Sequence, residues 1–346
     1  MLDITCTVST RGRYFDFLPL ALMSIVNQTE LPKKLIIFDD NDITIDLREN
    51  PVYKNIFLLL SQKGVSWEVV FGGKKGQVTN HQKAIEMCQT EFVYRFDDDH
   101  ILAPDCLAKL LSNVADDVAA IGGLVLDPKY NYRHLNPLAS NKIEDIYLGL
   151  NIQWFKWEGI KEVDHLYSTF IYRKEVAEQV GGYCMELSKI GHREETIFTY
   201  TMKKAGYKLL VDSSAVTWHM KAEQGGIRSE SNASMAQHDE SIFRTKLQEW
   251  GVTPKDIKLI VLDNGLGDHL VFKKLLPELK NKYSNIVMAV CYPEVFEDDK
   301  NDITLISIAN AQQMLNIDEF NLYKYLWENV NRKMTLEQAY KELYKI

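Results

Sequence analysis

The chain has 346 residues, 46% of them hydrophobic and 25% charged, enough for a substantial core in one large domain or two ordinary ones. Its formal net charge of -8 excludes broad electrostatic attraction to DNA or anionic lipid. Five scattered cysteines (Cys6, Cys88, Cys106, Cys184 and Cys291), with no close pair, exclude a disulfide framework or zinc ribbon and point to the reducing cytoplasm.

The chain starts on a strand-like run, Ile4–Val8, without the layout of a signal peptide. No apolar run approaches the roughly 18–20 residues that span a bilayer. The first half alternates short apolar runs with amphipathic stretches, the rhythm of an α/β sheet. Strands are expected at Ile4–Ser9, Leu35–Phe38, Trp67–Phe71, Phe92–Phe96 and Ala119–Leu126, with helices at Phe17–Val26 and Gln77–Cys88. Leu107, Leu110, Leu111 and Val114 lie on one helix face, and Pro104 stands at that helix's start.

Residues 127–165 lose periodicity and are rich in Asn, Tyr and Trp, as functional loops often are. Tyr147, Trp154 and Trp157 there suit either stacking on a ligand or plain packing. Strands are expected again at Leu166–Tyr172, Lys208–Val211 and Ala215–Trp218, and a helix over Glu194–Ala205 with Gly206 as its C-cap. Residues 221–234, rich in Gly and Ser, read as a mobile lid that carries Arg228. A helix over Ser241–Trp250 and a break at Gly251–Pro254 end the first domain, 1–252.

Residues 253–346 restart the pattern as a small βαβ unit. Its strands are Ile257–Leu262, Ile286–Val290 and Ile303–Ile306, its helix His269–Lys280. Asn264–Gly267 is a Gly-rich turn with N–H groups that suit an anion, or a plain structural turn. Thr335 and Gln338 stand in capping-box spacing before a helix whose inner face is Leu336, Ala339, Tyr340 and Leu343.

The main chemical signal is the run Phe92–His100. An apolar strand leads straight into Asp97, Asp98 and Asp99. Ligands of open α/β sheets bind beyond the carboxyl ends of strands, and clustered carboxylates there favour a divalent cation, Mn²⁺ or Mg²⁺, completed by substrate phosphates. In an extended chain Asp97 and Asp99 share one side and Asp98 faces away. Asp39 and Asp40 end a neighbouring strand, where either accepts from a base N–H or ribose hydroxyl, or simply builds a turn. Glu194 and Glu195 stand together at a helix start, where the dipole favours negative charge.

The segments Val8–Arg11, Ser24–Gln28, Ile36–Asp40 and Phe96–Asp99, in this order and spacing, resemble the family 2 glycosyltransferases of the GT-A fold over roughly residues 1–250. The resemblance implies a GT-A, Rossmann-like mixed α/β sheet and a nucleotide-sugar site. It implies that Thr10, Arg11, Lys75, Gly76 and Asn80 lie beside the nucleotide. Asp39 or Asp40 would contact uracil or ribose, Asp97 the ribose, and Asp98 would belong with them to the nucleotide-binding set. Asp99 and His219 would hold the metal, with Asp97 as a further ligand. Glu195 falls where the family places its catalytic base, with Glu in place of the usual Asp; Glu194 is the alternative. The expected reaction moves a sugar from a UDP-sugar to an acceptor hydroxyl with inversion. The acceptor class is a glycan, lipid-linked precursor or protein, with nucleic acid a minority choice. A nucleotidyltransferase is disfavoured by the single glycine after the first strand, and a non-catalytic carbohydrate-binding protein by the joint presence of Asp97, Asp99, Glu195 and His219. The Leu262–Leu270 segment resembles the N-terminal Rossmann half of heptosyltransferase-like GT-B enzymes, which implies an accessory α/β unit for acceptor binding or homodimer formation.

Overall fold

The structure, a computed structural model, describes all residues except 44, 74, 131–134, 227–232 and 313–333. The chain divides into two compact units. The first comprises residues 1–135, 141–143 and 151–253, the second residues 136–140, 144–150 and 254–346. Among the described residues, no helix is long and apolar enough to cross a membrane.

The first unit carries strands β1 (Leu2–Thr10), β2 (Pro32–Asp39), β3 (Ser66–Phe71), β4 (Phe92–Asp97), β5 (His100–Leu102), β6 (Val118–Leu126), β7 (Ile160–Val163), β8 (Phe170–Arg173) and β9 (Lys208–His219). Its helices are α1 (Leu18–Val26), α2 (Pro51–Gln62), α3 (Gln77–Met87), α4 (Cys106–Ser112), α5 (Lys174–Gln179), α6 (Glu194–Lys204) and α7 (Ala233–Glu249). The strands form one mixed sheet in the order β3-β2-β1-β4-β8-β6-β9-β5, with β7 beside the first half of β9.

The half β3-β2-β1-β4 is parallel, so its carboxyl ends share one edge. Register makes this specific: Thr10 pairs with Asp39, and Ser9 with Asp97. Strand β8 then runs antiparallel between β4 and β6, and β5 runs antiparallel to the end of β9. That last pairing sets His100 directly opposite His219. The main core joins this sheet to α1, α2 and α4 through residues such as Val8, Leu22, Ile37, Tyr53, Phe96 and Leu107.

Several elements differ from expectation. Helix α2 lies between two expected strands, where the sequence pattern assigns no element; Asn50 caps it by accepting from Val52 N at 2.9 Å, and Pro51 opens it. The expected strands 208–211 and 215–218 are one strand, β9, because a register shift against Gly123 and Leu124 absorbs the residues between them. Strand β8 starts only at Phe170, since Ser168 adopts φ +56°, outside the extended region. Helix α7 begins at Ala233, so the last two residues of the segment expected as a lid, 221–234, are helical; residues 227–232, with Arg228, lie outside the described residues.

The second unit carries strands β10 (Lys258–Leu262), β11 (Ile286–Val290) and β12 (Ile303–Ile306), all parallel, with helix α8 (Leu266–Lys282) crossing from β10 to β11. A short helix, Ile308–Gln312, and a closing helix, Leu336–Tyr344, complete its described part. The Thr335–Gln338 capping box forms as read, and Ala339, Tyr340 and Tyr344 are buried on the closing helix. Fully buried His269 accepts from the N–H groups of Cys291 and Tyr292, which makes it a structural link between α8 and the end of β11.

Candidate active site

One cavity in the first unit collects the carboxyl ends of β1 and β4, the start of α6 and the end of β9. Its lining includes Thr10, Arg11, Arg13, Asp40, Arg95, Asp97–Asp99, Ser168, Glu194, Glu195 and His219. Strand β4 is apolar and buried up to Phe96, so it delivers the aspartates at the sheet edge. There the chain turns. Asp98 and Asp99 form a two-residue turn before β5. The strand alternation expected for Asp97 to Asp99 therefore fails. Asp98 does not face away: it is buried, accepts from Thr10 Oγ1 at 2.8 Å, and pairs with Arg13 Nη1. Arg13 Nη1 also lies 3.4 Å from Asp99 Oδ2.

Asp99 Oδ2 stands 3.5 Å from His219 Nε2 and accepts from Ala222 N at 3.1 Å. His100, fully buried, faces His219 edge to face at 4.6 Å. The ligand atoms of Asp99, His100 and His219 lie within 4.8 Å of one another. His100 Nδ1 is buried with no hydrogen-bond partner, an orphan that a ligand bond would satisfy. One carboxylate and two imidazoles are donors that a divalent metal takes. The donor set thus fits a divalent metal. Asp97 stands outside this trio; its Oδ2 accepts from Ser168 Oγ at 3.1 Å. Burial opposes the charge of Asp99, yet hydrogen bonding from His219 and the nearby positive charges hold its carboxyl below the ordinary range. Burial pushes Asp98 up to about 6 against the pull of Arg13, and pushes His100 down to about 4.

Asp39 and Asp40 separate in role. Asp39 is fully buried and spent internally: it accepts from Tyr14 Oη and from Asn41 N and Nδ2, the latter two at 3.0 and 2.9 Å. Asp40 lines the cavity and accepts from Lys75 N at 2.8 Å and Gly76 N at 3.0 Å. Lys75 thus contributes its backbone, with an exposed side chain, and Lys74 lies outside the described residues. Gly76 has φ +93° and lies so close to Lys189 O that a Cβ would stand 2.5 Å from it. Asn80, on α3, is buried and donates to Ser9 Oγ at 2.7 Å. Arg11 lines the cavity and pairs with Asp42 at 3.2 Å.

The acid pair also separates. Arg193 precedes α6 in a left-handed conformation, φ +70°, which fixes how the helix enters the site. Glu194 is fully buried against Arg95, with Gln77 Nε2 at 3.4 Å from its other oxygen. Burial raises its carboxyl to about 7, against the pull of Arg95. Glu195 also lines the cavity and is only half-buried. Residues 221–226 pack onto the β1–α1 loop: Gly226 N donates to Arg11 O at 2.7 Å, and a Cβ on Gly12 would stand 3.0 Å from Gly225 Cα. Of the aromatic residues, Trp154 packs edge-on to Tyr167, a cavity residue, at 5.2 Å, and Trp157 Nε1 donates to Ile152 O.

Sequence reasoning missed Arg13, Arg95, His100 and Ser168. Arg95 gave a signal, a lone charge in an apolar strand two residues before Asp97 and therefore on the same face.

The glycosyl transferase family 2 model matches residues 5–181, just over half of the chain. No curated protein sequence matches. Similar solved structures include GalNAc-T7 with UDP, GalNAc and Mn²⁺, at TM-score 0.53 and 14% identity, covering 72% of this chain and 49% of that one. Another is the mannosyltransferase PcManGT from Pyrobaculum calidifontis in complex with GDP-Man and Mn²⁺, at TM-score 0.49 and 15% identity, covering 70% of this chain and 64% of that one. This chain therefore spans less than two thirds of either neighbour's length. The fold is the GT-A fold of glycosyltransferases, with the smaller parallel sheet as an addition. The chain belongs to glycosyl transferase family 2.

Proposed function

We propose that this protein transfers a sugar from a nucleoside-diphosphate sugar to an acceptor hydroxyl, with inversion and with a divalent metal bound. The observation that carries the reading is the meeting, in one cavity, of Asp97–Asp99, His219 and Glu195. Asp99, His219 and His100 would hold the metal, which when bound neutralises charge on the leaving diphosphate. Asp97, at the sheet edge, is the ribose contact, and the Asp40 clip with Lys75 and Gly76 frames the base. Glu195 takes the proton from the acceptor hydroxyl as that oxygen bonds to the anomeric carbon. The bond from that carbon to the diphosphate breaks, and the nucleotide leaves with the electron pair. Glu194 is not the base in this reading, because Arg95 and burial hold it away from solvent.

UDP-sugars are the donor class we favour, given the four sequence segments and the UDP in the GalNAc-T7 structure. Residues 253–346 serve as an accessory unit for acceptor binding or self-association. A panel of UDP- and GDP-sugars with Mn²⁺, Mg²⁺ or chelator tests the reading. Release of nucleoside diphosphate that needs Mn²⁺ and Asp99, with an inverted product by NMR, supports it. Pyrophosphate release, or turnover unchanged by chelator, rejects it. Mn²⁺ affinity should fall most in Asp99→Asn and clearly in His100→Ala and His219→Ala.

A further inference from the structure

Three arginines line the cavity, and two are engaged at its margins. Arg95 pairs with Glu194, and Arg11 with Asp42. Arg13 is different: its guanidinium stands among the carboxylates. Nη1 pairs with Asp98 Oδ1 and lies 3.4 Å from Asp99 Oδ2, while Nε donates to Gln224 O at 3.2 Å. Its side chain is only 13% exposed, so water screens these charges weakly. Asp99 Oδ2 is also the oxygen 3.5 Å from His219 Nε2, on the side where the donor set fits a metal.

Resting on the proposed metal site, we propose that Arg13 is the resident counter-cation of Asp98 and Asp99, and that it couples metal binding to diphosphate binding. The physical argument is one of charge. A bare divalent cation at Asp99 would sit within a few ångströms of a fixed positive charge that already neutralises the same carboxylates. Like charges at that separation repel strongly in a cavity that water screens weakly. A diphosphate entering the cavity reverses the balance: it supplies oxygens that a guanidinium and a metal bind together, and the planar fork of Arg suits phosphate. Arg13 therefore penalises metal alone and favours metal with nucleotide. Such coupling is reciprocal, so the nucleoside diphosphate also binds poorly without the metal.

The test is a titration of Mn²⁺ alone, with the free ion followed by electron paramagnetic resonance, on wild type, Arg13→Gln, Arg13→Lys and Asp99→Asn. The expected result is Mn²⁺ binding about tenfold tighter in Arg13→Gln, or about 1.4 kcal/mol. Arg13→Lys, which keeps the charge, stays within about twofold of wild type, and Asp99→Asn loses the ion. Adding UDP or GDP tightens Mn²⁺ binding in wild type by about tenfold for the cognate nucleotide and much less in Arg13→Gln. If Arg13→Gln misfolds by circular dichroism, Arg13→Met supplies the same reading. Loss of Mn²⁺ binding in Asp99→Asn, with no tightening on removal of the Arg13 charge, overturns the coupling and leaves the metal site standing. Mn²⁺ binding that ignores Asp99→Asn overturns the metal site and the coupling with it.

Discussion

Arg95 Nη1 donates to Glu194 Oε2 at 2.7 Å, joining the end of β4 to the first turn of α6 inside the protein, where both side chains are at most 1% exposed. The same nitrogen lies 3.2 Å from Tyr183 Oη, and the guanidinium sits over the Phe170 ring at 5.2 Å. Glu194 is adjacent to Glu195, so this pair fixes the helix turn from which the proposed base projects. An ion pair this deep gives up two hydration shells, and its value is in placement more than in stability.

The Glu194 carboxyl supplies a prediction about pH. Burial raises it from 4.5 to about 7. A carboxyl so raised keeps its proton in the folded chain where the unfolded chain has lost it. Its stabilising contribution is complete below pH 4.5 and drains away as pH climbs to about 7. Urea unfolding of wild type and Glu194→Gln from pH 5 to 8 should show it. Wild-type stability, taken relative to the variant, should fall by about 1–3 kcal/mol over that range. Parallel curves would mean that Arg95 keeps Glu194 ionised throughout.

A second prediction concerns the loop that clips Asp40. Gly76 combines φ +93° with a Cβ position 2.5 Å from Lys189 O, and its N–H donates to Asp40. The close atom is backbone, so no side-chain rotation relieves the clash. Gly76→Ala should cost about 2–3 kcal/mol in unfolding free energy and weaken nucleotide binding as the clip opens. An unchanged urea midpoint would place the loop elsewhere.

What the sequence revealed and what it hid follow from one distinction. Strand β4 and its aspartates were legible because a local apolar run and a local charge cluster carry their own meaning. The closing-helix capping box was legible for the same reason: its hydrogen bonds span three residues. The direction of Asp98 was not, because alternation assumes an extended chain and the chain turns after Asp97. Strand β5 has only three residues and owes its form to pairing with β9, more than 100 positions away. Arg13 looks like an ordinary charge until it meets Asp98, 85 positions along the chain, and nothing local shows that the lone charge of Arg95 meets Glu194, 99 positions away.

The two adjacent glutamates supply the last prediction, because Glu194 is buried against Arg95 while Glu195 is half-buried at the cavity. Glu195 lines the cavity half-buried, and its main-chain carbonyl accepts from Thr199 Oγ1 at 2.7 Å, inside the first turns of α6. Glu195→Gln should lower kcat by about 10²–10⁴-fold, the usual worth of a general base, with donor KM within about threefold. Its stability loss should stay within about 1 kcal/mol, since only a favourable first-turn charge is removed. Glu194→Gln should move stability, for the reason given above, and lower kcat less than Glu195→Gln does. Steady-state kinetics and urea unfolding on both variants separate the roles. If Glu194→Gln costs the larger share of kcat while Glu195→Gln turns over normally, the base is Glu194 and Arg95 is its partner in catalysis.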